Sequence, residues 1–415
     1  MPPWERWPYQ NISVNYTRAL HNTDITMKRL FFLFSVILFF CFNVHDIAAC
    51  TTGLAGPEAT SNSHVILWKN RDSGFNNNEL AFFRNGDFRY MGIINTNDTS
   101  QIWAGVNNYG FAIMNAESRD MAAPGENTGY DDEGYLMKAA LQQCKNSADF
   151  EEMLKSTNSE GRKVTSNFGV IDALGNAVFF ETGNHEYVRF DTKTSKESPY
   201  LIRANFAYEA RSSEGYGYVR HNRAQALFKK SYHCHNLDHR YIISTVSGDI
   251  ELPDSLIEKT NPVQRKTQDT VNRYRSVSAS VFDSYGAGGS PELTTFWCSL
   301  GEPAVSISIP LWVRSGRVPL VLDSDSGSSL NKLFRDIKEV LYADQTHIDL
   351  VRLERSRKIL DKGQKQIFRK TAKELKKWER ALPEPDTIVA FQEKMLSIAL
   401  RSVNKVLSNL QSENN

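Results

Sequence analysis

The chain has 415 residues, enough for one large or two ordinary domains with a sizeable core. Charged residues at 23%, with 24 Gly and 14 Pro, exclude whole-chain disorder and a collagen-like repeat. A formal net charge of +1 gives no ground for nucleic acid or an anionic membrane as a main partner, and five cysteines are too few for a disulfide scaffold.

Met27-Lys28-Arg29 precedes an apolar run, Leu30–Phe42, and a polar stretch that closes on Ala48-Ala49. About 13 apolar residues fall short of the roughly 20 that a membrane-spanning helix needs, and the pattern is that of an export signal. Residues 1–26 read as an upstream extension before an initiator at Met27. The mature chain is expected to begin at Cys50 and to be exported, to a periplasm or outside the cell. Ile47-Ala48-Ala49-Cys50 also resembles a lipobox, in which Cys50 would be acylated and serve as an anchor.

From Cys50 to about residue 330 the patterning is mixed. Strands are expected at 64–68, 81–84, 90–94, 111–114, 168–171 and 177–180, the last two joined by the turn Asp172-Ala-Leu-Gly-Asn176. Helical patterns cover 135–144, 148–154 and 221–229. Ser276–Phe282 alternates polar with apolar residues, as a half-buried strand does. Strands and helices arrive in clumps, which favours α+β layers over a doubly wound sheet. Beyond 330 the chain is helical over 330–343, 348–360, 364–382 and 388–410, with breaks expected at Gly363 and Pro383-Pro385. Between Arg352 and Arg380 lie 12 Lys/Arg against 4 Asp/Glu, which reads as the solvated face of a packed helix, the alternative being a basic surface for a membrane or an acidic partner.

A cysteine exposed as a first residue carries a nucleophilic thiol and a free α-amine of pKa about 7.7–8.0, close to where a general base works best. Such a residue can supply its own base, a variant of nucleophile–base acyl-transfer chemistry. It then needs a carboxylate near the amine, donors for the oxyanion, and a pocket.

Cys50-Thr51-Thr52, followed about twenty residues on by Lys69-Asn70-Arg71-Asp72 at a strand end, resembles the linear-amide C–N hydrolases among the N-terminal nucleophile (Ntn) enzymes. That group includes choloylglycine hydrolases, penicillin V acylases and isopenicillin N acyltransferases. Gly105–Asn115 is similar to their Asn-x-x-Gly-hydrophobic-Ala strand. Arg203-Ala-Asn205-Phe206 with Arg220-His-Asn-Arg223, and Thr295–Pro303 with Ile309–Trp312, are similar to motifs of the acyltransferase branch. The matches run in order from 50 to about 315. Choloylglycine hydrolases carry Arg where this chain has Lys69, with arginine displaced to Arg71, which leans toward the acyltransferase-like branch.

The resemblance implies an αββα sandwich over 50–330, with 331–415 as a C-terminal helical extension, and cleavage of a linear, non-peptide amide. It implies Cys50 as nucleophile, Asp72 near its amine, and Asn205 as an oxyanion or orienting group. Asn115 is a second polar group with Asn107 as rival, Arg275 a further basic group, and Asn70 and Arg71 substrate contacts. No cofactor is expected. The expected partner is a small N-acyl amide, with hydrolysis and acyl transfer both open, as is the oligomeric state; a membrane enters only through the signal or a lipid anchor. The rival reading is a lipoprotein anchored at Cys50 whose domain only binds a ligand. His233-Cys234-His235 with His239 resembles a metal-ligand spacing, but Asn236-Leu-Asp238 reads as a loop and no metal is expected.

Overall fold

The computed structural model describes residues 49–123, 125–126, 132–195, 198–258, 261–323 and 326–414. The expected export segment therefore lies outside the described residues, apart from Ala49. In chain order the strands begin with β1 (Ala49–Ala55), β2 (Val65–Asp72), β3 (Asn78–Asn85), β4 (Phe88–Asn95) and β5 (Ala104–Asn107). They continue with β6 (Ala112–Glu117), β7 (Ser166–Ile171), β8 (Ala177–Thr182), β9 (Tyr187–Asp191) and β10 (Tyr200–Arg203). The last are β11 (Gln264–Lys266), β12 (Ser276–Ser284), β13 (Thr295–Ser299), β14 (Ile309–Leu311) and β15 (His347–Asp349).

A six-stranded sheet in the order β10-β1-β2-β12-β13-β14 packs face to face on a seven-stranded meander of β3 to β9. Each neighbouring pair is antiparallel, and β11 pairs with β15 as a separate ribbon. Helices α1 (Glu133–Gln143) and α2 (Ser147–Thr157) cover the outer face of the seven-stranded sheet. Phe150 of α2 sits edge-on to Phe168 and Phe180 at 5.7 and 5.4 Å. On the other side α3 (Tyr218–His233) packs on β1 and β10, with Phe228 against Trp68 at 5.8 Å. The layers are helix, sheet, sheet, helix, the α+β arrangement expected.

Three further helices complete that outer layer: α4 (Ser329–Leu341), α5 (Leu350–Trp378) and α6 (Pro385–Asn414). They close the β14 edge, where an open strand would leave unpaired backbone groups. The Ser308 amide donates to Gln364 Oε1 at 2.7 Å and the Trp312 amide to Gln392 Oε1 at 3.1 Å. Trp312 meets Trp378 at 4.9 Å, and Phe391 lies 5.4 Å from Trp378. No helix among the described residues is long and apolar enough to cross a membrane.

Two expectations are corrected. Gly363 does not break the helix: α5 runs through it, because a Cβ there would collide with Ser402 of α6, so glycine permits close helix contact. Ser276–Phe282 is not half-exposed. Every residue of β12 is buried, since one face meets the other sheet and the opposite face the helices.

Asp283, at the end of β12, lies between two imidazoles: His64 Nδ1 and His239 Nδ1 are each 2.6 Å from a carboxylate oxygen. His239 stacks on Trp297 at 5.0 Å and meets Phe368 of α5 at 5.8 Å. Burial alone would raise the Asp283 pKa, but the two histidines outweigh it and hold the carboxyl well below 3.8. For His64, burial opposes the charged form, yet its hydrogen bond to Asp283 and that charge prevail, placing it above 6.5. The sign follows from linkage. The His64 contribution is complete below pH 6.5 and is lost as pH rises through the raised folded value. The Asp283 contribution is lost as pH falls below 3.8. Thermal melts across pH should therefore show a decline on the alkaline side of 6.5 that flattens in His64→Gln; an unchanged slope in the variant would refute the assignment.

Candidate active site

β1 lies in the sheet interior with β10 on one side and β2 on the other, so its register is fixed along both edges. Cys50 stands opposite Arg71, Thr51 opposite Asn70, and Ala49 opposite Asp72. Directly opposed residues share a face. Cys50 and Arg71 thus face the seven-stranded sheet, while Thr51 and Asn70 face the helices.

The Cys50 nitrogen, a peptide nitrogen in this uncut chain, donates to Asn205 Oδ1 at 2.9 Å. The same oxygen accepts from Arg220 Nη2 at 2.9 Å, while Asn205 Nδ2 donates to the Glu117 carbonyl at 3.0 Å. These three partners agree on which way the amide points. Arg220, the third residue of α3, also donates from Nη1 to the Cys50 carbonyl at 2.5 Å and to Thr51 Oγ1 at 2.8 Å. Gly217, at φ +89°, makes room for it, since a Cβ there would strike the guanidinium. Burial lowers the Arg220 pKa, with the nearby Asp72 charge opposing.

Asp72 is buried at the end of β2. It accepts from Ser276 Oγ at 2.6 Å and from Arg273 Nη1 at 3.1 Å. A register shift between Ser276 and Ser278 brings Ser276 opposite Asp72; bulges of this kind re-aim side chains beside sites.

Cys50 is 6% exposed and lines a cavity of about 200 Å³. Its walls include Lys69, Arg71, Asp72, Trp103, Asn115 and Glu117. Lys69 Nζ donates to Asn115 Oδ1 at 2.6 Å and to the Trp103 carbonyl at 2.8 Å. Arg71 donates to Asn78 Oδ1 at 2.5 Å and Asn95 Oδ1 at 3.0 Å, and lies over the Trp103 ring at 4.5 Å.

Of the residues singled out in sequence, Cys50, Asp72, Asn205, Asn115 and Arg71 come together here. Asn70 does not: it faces the helices, where Nδ2 donates to the Ser247 and Val271 carbonyls. Arg275 offers its carbonyl to the Ser73 amide, and the guanidinium against Asp72 belongs to Arg273 two positions earlier. Asn107 shapes its own turn, accepting from the Tyr109 and Phe111 amides. Sequence reasoning gave no role to Arg220, Arg273 or Ser276. Arg220 lay inside a motif already noted, whereas nothing local marks the other two, which reach Asp72 only through the β2–β12 pairing.

The segment carrying Asn205 is held from below. Arg203 and Glu181, both fully buried, pair at 2.7 Å. Glu181 also accepts the Tyr208 and Glu209 amides, and Asn167 Nδ2 donates to the carbonyls of Ala204 and Phe206, on either side of Asn205.

No protein-family model matches the sequence, nor does any curated protein. Among solved structures the chain is similar to a Caenorhabditis elegans N-acylethanolamine-hydrolyzing acid amidase ortholog, at 12% identity and a TM-score of 0.38, over 59% of this chain and 94% of that one. It is also similar to a mutant of conjugated bile acid hydrolase from Clostridium perfringens, at 11% identity and TM-score 0.38, over 67% and 94%. A third is penicillin V acylase from Agrobacterium tumefaciens, at 11% and 0.38, over 63% and 86%.

Removing one partner of a fully buried ion pair leaves an uncompensated charge, which typically costs about 3–5 kcal/mol. Glu181→Ala should therefore destabilise by about that much in denaturant titration. The double change Glu181→Met with Arg203→Met should cost clearly less. Equal losses in both would show that packing, and not charge, holds this segment.

Proposed function

We propose that the chain is a cysteine amidase of the N-terminal nucleophile type, cleaving a linear amide through a thioester on Cys50. The observation that carries this reading is the β1–β2 register, which sets the Cys50 thiol at a polar cavity and puts Asp72, a buried carboxylate lining the same cavity, opposite the residue before Cys50.

Loss of residues 1–49 turns that nitrogen into an α-amine within reach of Asn205 Oδ1, with Asp72 at the neighbouring position. The amine takes the thiol proton as sulfur attacks the substrate carbonyl. Collapse of the tetrahedral intermediate breaks the C–N bond, and the proton passes to the leaving amine. Water then attacks the thioester and restores the thiol; where an amine replaces water, the outcome is acyl transfer. Asn205 orients the nucleophile's nitrogen, Asp72 holds its charge with Ser276 and Arg273 fixing the carboxylate, and Lys69 and Asn115 face the developing oxyanion from the cavity wall. Pre-aimed donors of this sort are worth about 10²–10³ in rate each.

Burial of Cys50 between two strands does not favour the rival lipid-anchor reading, since an acyl chain on sulfur would have to lie in the cavity. The test is a panel of N-acyl amides assayed with the mature protein. Cys50→Ala should lower kcat by about 10⁴ or more, as loss of a nucleophile does in acyl transfer. Asp72→Asn should lower kcat with little change in KM. Wild-type rates in Cys50→Ala, or a mature chain with acylated Cys50, would sink the proposal.

A further inference from the structure

The basic run of the chain lies on α5, and its geometry is more ordered than composition requires. At 100° per residue, Lys358, Lys362, Lys365, Arg369, Lys373 and Lys376 fall within an arc of about 80° and form one stripe about 27 Å long. All six are exposed. Lys358 pairs with Glu354 at 2.8 Å. The other five have no acidic group within 4.0 Å among the described residues. At its N-terminal half the stripe forms one wall of an open groove of about 690 Å³, closed on the far side by Arg240. Five cations and the carboxylate of Asp361 line that groove; Arg240 is paired with Asp238 at 2.6 Å, as Lys358 is with Glu354, which leaves Lys362, Lys365 and Arg369 as its uncompensated charges.

Like charges three and four residues apart on a helix are neighbours at about 5–6 Å, and each pair is destabilising. That spacing is inside the Debye length of about 8 Å at physiological salt, so solvent does not remove the repulsion. An anionic partner lying along the stripe would relieve it. The partner must be extended, because the stripe continues for two turns past the groove. The exposed apolar residue Val351, at 43% exposure, falls on the same arc two turns before Lys358. A long cationic face with an apolar residue at its N-terminal end fits a headgroup layer with acyl chains beneath it. A single-stranded nucleic acid would instead favour aromatic stacking groups among the stripe positions, all six of which are Lys or Arg.

We propose that the outer face of α5 docks the protein on an anionic phospholipid surface, with a phosphate headgroup seated in the groove between Arg240 and Lys365. The test uses the protein from Cys50 on, which lies within one compact unit of the fold, so that the apolar run 30–42 does not itself insert. It is sedimented with phosphatidylcholine vesicles, with and without phosphatidylglycerol. Binding is expected only to the anionic vesicles and should vanish at high salt. The triple variant Lys362→Glu, Lys365→Glu, Arg369→Glu should bind at least about 100-fold more weakly, with an unchanged thermal melt. Lys362→Arg with Lys365→Arg should retain binding, which separates charge from any loss of fold. Equal binding to neutral vesicles would overturn the proposal. So would binding of heparin or DNA with no preference for anionic vesicles, or saturation by free inositol phosphate in calorimetry without vesicle binding.

Discussion

The hydrogen-bond register of β1 against β2 and β10 governs the site, because a slip of one residue would turn every β1 side chain to the opposite face. With Cys50 opposite Arg71, the thiol looks into the space between the sheets, where Lys69 and Asn115 also point. The next residue, Thr51, looks the other way, toward α3, and meets Arg220. One strand thus presents two faces: the thiol on one, and on the other the arginine that grips its backbone. β12 adds the third element through its bulge, without which Ser276 would not sit opposite Asp72.

A site of this kind concentrates charge where water is scarce, and burial of unpaired charge is expensive. The fold meets this by giving each buried ion several defined partners. Asp72 has a hydroxyl and a guanidinium; Arg220 has a carbonyl, a hydroxyl and an amide oxygen. Glu181 compensates Arg203 and at the same time receives two backbone amides from the segment after Asn205. That last arrangement makes the position of Asn205 depend on a pair that never touches the cavity. Rigid support of a functional side chain by a second layer of buried hydrogen bonds is what holds a reacting geometry within the tolerance that catalysis needs.

Sequence legibility follows the range of the interactions. The strands at 64–68, 90–94, 168–171 and 177–180 are set by local periodicity and appear where the pattern places them, as do the C-terminal helices apart from the break expected at Gly363. Cys50 and Asp72 stand out in the sequence because each lies at a strand end next to a recognisable motif, and the fold brings both to one cavity. Arg273 and Ser276 are illegible because their importance comes from a pairing across some two hundred residues, and Arg275 carries the same local signal as Arg273. The alternation in β12 misleads for a related reason: period two reports that successive side chains point to opposite faces, not that either face is wet. At Gly363 the usual helix-breaking reading fails because the glycine answers to Ser402, a contact between helices that no local pattern contains.

The helices beyond residue 330 show how one element can serve two surfaces. The inner face of α5 supplies Gln364 to the unpaired edge at Ser308 and Phe368 to the ring stack over His239. Its outer face carries the cations, whose neighbouring like charges oppose one another. The inner face tolerates that cost: Leu353, Leu360, Ile367 and Trp378 are buried along it, and at about 1.5–3 kcal/mol for each buried large side chain their contribution exceeds a few tenths of a kcal/mol per repulsive pair. A helix held this firmly from one side is free to carry on its other side a charge pattern that its own stability would not select. The inner face thus leaves the outer one available to water or to a partner surface without loss of the helix.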